Sequence, residues 1–212
     1  MIYVQSLRFG TSLSFCQKID KATLHELKAS GISTVELSFT YDYYMNTIDF
    51  PKNCLEYANM AREEGVEIWS IHLPFSPYLD ISHEEKELRD ITLYTNRTLI
   101  EAARKAGVKI AVLHPSSEPI AAAKRPKRLG SSRESIEILK SECDQYDMKL
   151  AVENLPRTCL CNRSAEMIEL LKGTGAGIAF DTNHSLIEEN VSFLFTLIDS
   201  GLKKSHPAYL GL

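Results

Sequence analysis

Four short apolar runs in this chain finish on a residue able to bind a metal ion or move a proton. VEIWSIH ends at His72, KIAVLH at His114, KLAVE at Glu153 and GIAFD at Asp181, with His184 three residues further on. Imidazole nitrogens and carboxylate oxygens together suit one divalent ion, Mn²⁺, Mg²⁺, Co²⁺ or Zn²⁺, and residue types alone do not choose among these. Taken singly, a histidine after an apolar strand is more often a hydrogen-bonded loop residue than a ligand. Four consecutive runs ending alike are harder to explain that way, because burying unpaired imidazoles and carboxylates costs several kcal/mol. Glu36, in the run VELS, could point to the same place, with a surface ion pair as its alternative. Trp69 and Phe75 flank His72 and would supply apolar walls, core packing being the favoured reading for Trp69. His25 and His83 fall in helical segments and read as solvated.

For these residues to meet, the runs must be neighbouring strands of one sheet. Five segments share a single plan, SGISTVELS, EGVEIWSIH, AGVKIAVLH, YDMKLAVEN and TGAGIAFD, in which a helical stretch ends near a glycine or polar turn and a β-rich run follows. Gly31, Gly65, Gly107 and Gly173 stand where a left-handed residue closes a helix. The runs after them are too short and too β-branched for helices, so they are strands two to six, with the first expected at Tyr3 to Phe9. Leu24 and Leu27, Leu55 and Ala58, and Leu88, Ile91 and Leu99 carry the helical period between strands. Ser82 with Glu85 reads as a capping box, and Ser164 as the N-cap before Met167, Leu170 and Leu171. Strict alternation with continuous apolar strands implies a parallel sheet covered by helices. An open doubly wound sheet would show the same alternation, but no GxGxxG or GxxxxGK[ST] follows the first strand, which favours a (β/α)8 barrel of the TIM type. In that barrel all strands open their carboxyl ends onto one mouth, and residues distant in sequence converge.

HLPF (His72 to Phe75), HPSSEP (His114 to Pro119), AVENLPRT (Ala151 to Thr158) and FDTNH (Phe180 to His184) resemble the motifs of the xylose-isomerase-like barrels. That family includes sugar-phosphate isomerases and epimerases, hydroxypyruvate isomerase, inosose dehydratase and the endonuclease IV type of DNA-repair nuclease. The resemblance runs from about Tyr3 to about Asp199. It implies that Glu153 binds a metal and acts as a base, that Asp181 binds the metal, and that His184 contacts substrate or, in the nuclease, a further zinc. His72 and His114 would line the substrate pocket of an isomerase or hold an additional zinc in the nuclease. The implied mechanism sets two adjacent oxygens of a hydroxy-carbonyl sugar on the metal while a carboxylate moves the carbon-bound proton through an enediolate.

The pattern departs from the family near its end. A full barrel takes roughly 250 residues, and the family continues with a seventh strand bearing a metal-binding His, then an Asp, and an eighth ending in a metal-binding Glu; this chain has 212 residues. His206, 25 residues after Asp181, is the candidate seventh-strand ligand, but it stands in KKSHPAYLGL and the proline after it cannot donate to a ladder. The expectation is a single domain, residues 1–212, forming six to seven β/α units of a barrel truncated at the C-terminus. Its metal set would be Glu153, Asp181 and His206, and loss of activity through the missing second base is one expected consequence. Open sheet edges would favour a partner chain or a homodimer across the gap.

Composition narrows the rest. With 44% hydrophobic and 25% charged residues the chain reads as an ordinary globular protein. No apolar run approaches the roughly 20 residues of a membrane span, and a cytoplasmic location with no membrane partner follows by default. Five cysteines without a CxxC pair read as reduced thiols, and the sequons at Asn96, Asn162 and Asn190 as chance matches. A net charge of −4 gives no general attraction to nucleic acid. The basic run KRPKR, Lys124 to Arg128, could reach a substrate phosphate, against a solvated loop or helix start. Three functions are therefore weighed: an isomerase or epimerase of a small sugar or sugar phosphate, a zinc-dependent abasic-site nuclease, and a non-catalytic remnant.

Overall fold

The computed structural model describes residues 9–16, 18–38, 50–200 and 208–211, with residues 198 and 208–211 described by backbone alone. Seven strands, β1 (Gly10–Ser12), β2 (Thr34–Leu37), β3 (Glu67–His72), β4 (Ile110–Leu113), β5 (Lys149–Glu153), β6 (Gly177–Asp181) and β7 (Ala208–Gly211), pair in chain order, every pair parallel. Between them run α1 (Lys21–Ala29), α2 (Phe50–Glu63), α3 (Lys86–Lys105), α4 (Arg125–Gln145), α5 (Ser164–Leu171) and α6 (Asn190–Asp199). This is the sheet of an incomplete α/β TIM barrel, and among the described residues β1 and β7 do not pair with each other. Strands two to six form where the repeated runs place them. The first is expected at Tyr3 to Phe9, of which residues 3–8 lie outside the described residues; the first described strand is Gly10–Ser12.

The two-residue period of a strand sorts its side chains onto two faces. On β4, β5 and β6 one set (Ala111 and Leu113, Leu150 and Val152, Ile178 and Phe180) joins the large core beneath the helices. The other set (Ile110, Val112, Ala151, Ala179) forms a small apolar layer inside the curl, with Trp69 packed against it. Advancing two residues from Val112, Ala151 and Ala179 reaches His114, Glu153 and Asp181. The alternation that buries the core therefore turns these three side chains inward at the carboxyl ends. β3 needs a correction to the same rule. Its register against β2 skips a residue between Ile68 and Ser70, so Ile68 and Ile71 both face the helices while Trp69 packs inside and Ser70 meets Glu36 of β2.

Helix ends were more legible than helix starts. Gly31, Gly65, Gly107 and Gly173 all have positive φ, as their positions required. Ser82 and Glu85 make no capping box: α3 starts at Lys86 without a side-chain cap, and the Ser82 hydroxyl is drawn to Asp80 at 2.6 Å. Ser164 is the first helical residue rather than the cap, and its hydroxyl donates to Glu188 at 2.7 Å. All five cysteines are free thiols. Among the described residues no helix is long and apolar enough to cross a membrane.

Candidate active site

Glu153, the last residue of β5, is 7% exposed and faces three histidines. His72 Nε2 lies 3.0 Å and His114 Nε2 3.3 Å from its Oε2, and His184 Nδ1 lies 3.1 Å from its Oε1. Asp181, ending β6, brings Oδ2 to 3.6 Å from His184 Nδ1. The donors fall into two groups that share Glu153, namely His72, His114 and Glu153, and Glu153, Asp181 and His184, each spanning no more than 4.8 Å. Glu36 enters from β2, accepting from the Ser70 hydroxyl at 2.8 Å, close enough to His72 and Glu153 to feel both charges. Sequence reasoning brings His72, His114, Glu153, Asp181 and His184 to one mouth and leaves Glu36 between that mouth and a surface ion pair; the structure brings all six together. His206 lies outside the described residues. Trp69 sits in the apolar layer below, which is the packing reading of it, and Phe75 is an aromatic residue at the mouth: half exposed, it stacks on the His114 ring at 3.7 Å.

Two contributors escaped the sequence. Ser70 reaches the mouth only because of the register skip in β3, which no local pattern announces. Asn154 is fully buried and hooks the end of β5 to the end of β6, its Oδ1 accepting from the Asp181 backbone N–H at 2.7 Å and its Nδ2 donating to the Asp181 carbonyl at 2.9 Å. Its place beside Glu153 in ENLP was the available signal.

Burial alone would raise the Glu153 carboxyl, but hydrogen bonds from His114, His184 and His72 hold it well below the usual carboxylate range. For His72 burial works against the cation, yet Glu153 and Glu36 more than offset it and the pKa is raised. The bond to Glu153 likewise raises His184. His114 goes the other way: burial, helped by repulsion from His72, pushes it down to about 4 in spite of Glu153. Burial also raises Glu36, with His72 and Ser70 opposing. Two neighbouring carboxyls are thereby driven apart, the arrangement in which one serves as an ionised group and the other as a proton carrier.

The donor chemistry fits a metal ion. His72 Nδ1 lies 3.0 Å from the Leu73 carbonyl, which only accepts, so Nδ1 carries the proton. A neutral His72 would then aim its Nε2 lone pair at a carboxylate oxygen. Something positive must lie between them, either a second proton or a cation, and an imidazole whose far nitrogen donates to a carbonyl is oriented as a metal-binding histidine is.

The basic run Lys124 to Arg128 is engaged elsewhere. Lys124 and Lys127 pair with Glu84 at 3.0 and 3.1 Å, Arg125 with Glu166 at 2.7 Å, and Arg128 with Asp80 at 2.5 Å. It opens α4 and ties loops together rather than standing free for a phosphate.

The chain belongs to the xylose isomerase-like TIM barrel family, whose model matches residues 24–207. Its fold is that of several solved sugar-processing enzymes. A D-tagatose 3-epimerase-like protein superposes with a TM-score of 0.76 at 22% identity, over 90% of this chain and 71% of that one. D-psicose 3-epimerase from Clostridium cellulolyticum H10, crystallised with D-tagatose, gives 0.74 at 16% identity over 96% and 73%. The 3-keto-D-glucoside 4-epimerase of E. coli gives 0.74 at 16% over 97% and 79%. No curated protein matches in sequence.

Proposed function

We propose that this protein is an isomerase or epimerase of a small sugar or sugar phosphate, dependent on one divalent ion at the mouth. The observation that carries the reading is the convergence of three histidines on the buried Glu153 carboxylate, with Asp181 and Glu36 alongside. Glu153 and Asp181 would hold the ion, with His184 the third donor of their group and His72 and His114 on the other side of Glu153. His206 stays a proposed ligand. A divalent ion there would polarise a substrate carbonyl and acidify the neighbouring C–H. The chain's own groups supply the rest. The family resemblance gives Glu153 the carbon-bound proton, which its carboxylate takes up once the imidazoles turn from it to substrate and ion, and Glu36, whose carboxyl is raised, can carry a proton to or from a substrate oxygen. His184 offers an N–H group to substrate hydroxyls, and Phe75 offers an apolar face against sugar C–H groups. The solved relatives described above are sugar epimerases, which supports this reading over the abasic-site nuclease; so does the engagement of the KRPKR cations in ion pairs.

The test is elemental analysis of wild type beside Glu153→Ala and Asp181→Ala, paired with solvent-deuterium exchange into ketohexoses followed by NMR. One bound ion removed by either substitution, with deuterium appearing beside the carbonyl in wild type only, is expected. A metal-free wild type after growth and purification with Mn²⁺, Co²⁺ and Zn²⁺ would end this reading. Bound metal without exchange would leave the non-catalytic remnant.

A further inference from the structure

His114 is the residue after the last residue of β4, so the sheet does not hold its ring directly. Two contacts from the loop between β3 and α3 reach its neighbourhood. Phe75 stacks on the ring, the planes inclined by 27°. Five residues along the same loop, Asp80 takes hold of the segment that follows His114. Asp80 is 4% exposed, and both of its oxygens are doubly engaged. Oδ1 accepts from the Ser82 backbone N–H at 2.8 Å and the Ser82 hydroxyl at 2.6 Å. Oδ2 accepts from the Ser117 backbone N–H at 2.8 Å and from Arg128 of α4 at 2.5 Å. Arg128 Nε closes the network by donating to the Ser82 hydroxyl at 2.9 Å. The segment from His114 to Ser117 is gripped twice more, by the Ser132 hydroxyl on the Pro115 carbonyl at 2.7 Å and by the Leu160 N–H on the Ser116 hydroxyl at 2.9 Å.

We infer that Asp80 is a positioning residue: through Ser117, and through the loop that brings Phe75 onto the ring, it fixes His114 in the geometry that accepts a metal ion. The inference rests on the metal-dependent reading above. A buried ion pair is a poor way of adding stability, since well-packed apolar residues do as well. Charge-assisted bonds, however, are short and directional, and here they join the loop that leaves β3 after His72 to the segment that carries His114. Four donors on one carboxylate leave it no alternative arrangement, so a loop displacement that moved His114 would strand a buried charge.

The test is titration of the purified protein with Co²⁺, followed by its visible absorption. Asp80→Asn keeps the side chain's size, loses the charge that holds Arg128, and is expected to weaken Co²⁺ binding by about tenfold, the lower end of what loss of a direct partner of a metal-binding histidine costs, since Asp80 acts on His114 through the Ser117 backbone. Leu139→Ala, on the buried face of α4, lowers the melting temperature without touching either loop and is expected to leave Co²⁺ affinity and spectrum unchanged. If Asp80→Asn does not fold, Ser82→Ala, which removes one donor to Asp80 and one anchor of Arg128, decides: its affinity must fall too. Wild-type affinity in the folded Asp80→Asn or Ser82→Ala variant would overturn the inference, as would an equal loss in Leu139→Ala, which would mark a general loosening. A wild type that takes up no Co²⁺ overturns the metal reading itself, and the positioning role with it.

Discussion

A carboxylate that faces three imidazoles ties the site to pH. His72 and His184 are both raised above the ordinary histidine value of 6.5, so in the metal-free protein each keeps its proton beyond that point, whereas His114, down at about 4, is already neutral. A metal ion needs the bare lone pair and must displace whatever protons remain. Apparent affinity therefore rises with pH while His72 or His184 is protonated, by up to about tenfold per pH unit for each proton displaced. It levels off above their raised values. The same protons stabilise the empty fold: their contribution is complete below the unfolded histidine pKa of about 6.5 and is lost as pH rises through the folded values. Titrating the apo protein with Zn²⁺ at about pH 6, 7 and 8, where histidine titrates, is expected to show affinity climbing while the apo melting temperature falls. A flat affinity profile would mean that no imidazole gives up a proton to the ion.

At the scale of the elements, what the sequence announced depended on whether the deciding interaction was local. A helix that stops needs one residue of positive φ, and Gly107 after α3 supplies it at φ 88°. Strand placement was legible for the same reason, since period and length sit within each run, and the period then carried Glu153 and Asp181 inward. Helix starts failed because their polar side chains were claimed from a distance: Ser82 by Asp80 and Arg128, Ser164 by Glu188. The register skip that admits Ser70, and the Asn154 hook onto Asp181, exist only once two strands are side by side. One prediction isolates the local part. An added Cβ meets nothing within 4 Å at either Gly107 or Gly130. Gly107→Ala forces alanine into the left-handed region at a cost of about 1–2 kcal/mol. Gly130→Ala, within α4, gains up to about 1 kcal/mol of helix propensity. Thermal melts are expected to move in opposite directions, by about 2–4 °C per kcal/mol for a chain of this size. The same sign for both would refute the assignment of φ to these two positions.

Across the molecule the site is a junction of strands rather than a local motif. Glu36, His72, Glu153 and Asp181 come from β2, β3, β5 and β6, and His114 follows β4, so the five carboxyl ends of adjacent strands meet at one cluster of charge. An ion seated there would link segments spread from Glu36 to His184, and none of those links exists in the unfolded chain. Binding to the native state alone adds RT ln(1 + [L]/Kd), about 2.7 kcal/mol at a hundredfold excess over Kd. At about 2–4 °C per kcal/mol that is a rise in melting temperature of roughly 5–11 °C, reversed by a chelator. Glu153 belongs to both donor groups, so Glu153→Gln is expected to abolish the metal-induced rise, whereas His114→Gln or His184→Gln, each removing a donor from one group, leaves part of it. Glu153→Gln also leaves three imidazoles facing a neutral amide, so its metal-free form should lose the stability that His72 and His184 draw from the carboxylate, most visibly below about pH 6.5 where both carry protons. Calorimetric scans of the four proteins with and without Zn²⁺ separate the two effects. A metal-induced rise that survives Glu153→Gln would place the ion away from this mouth and detach the metal from the residues on which the proposed chemistry depends.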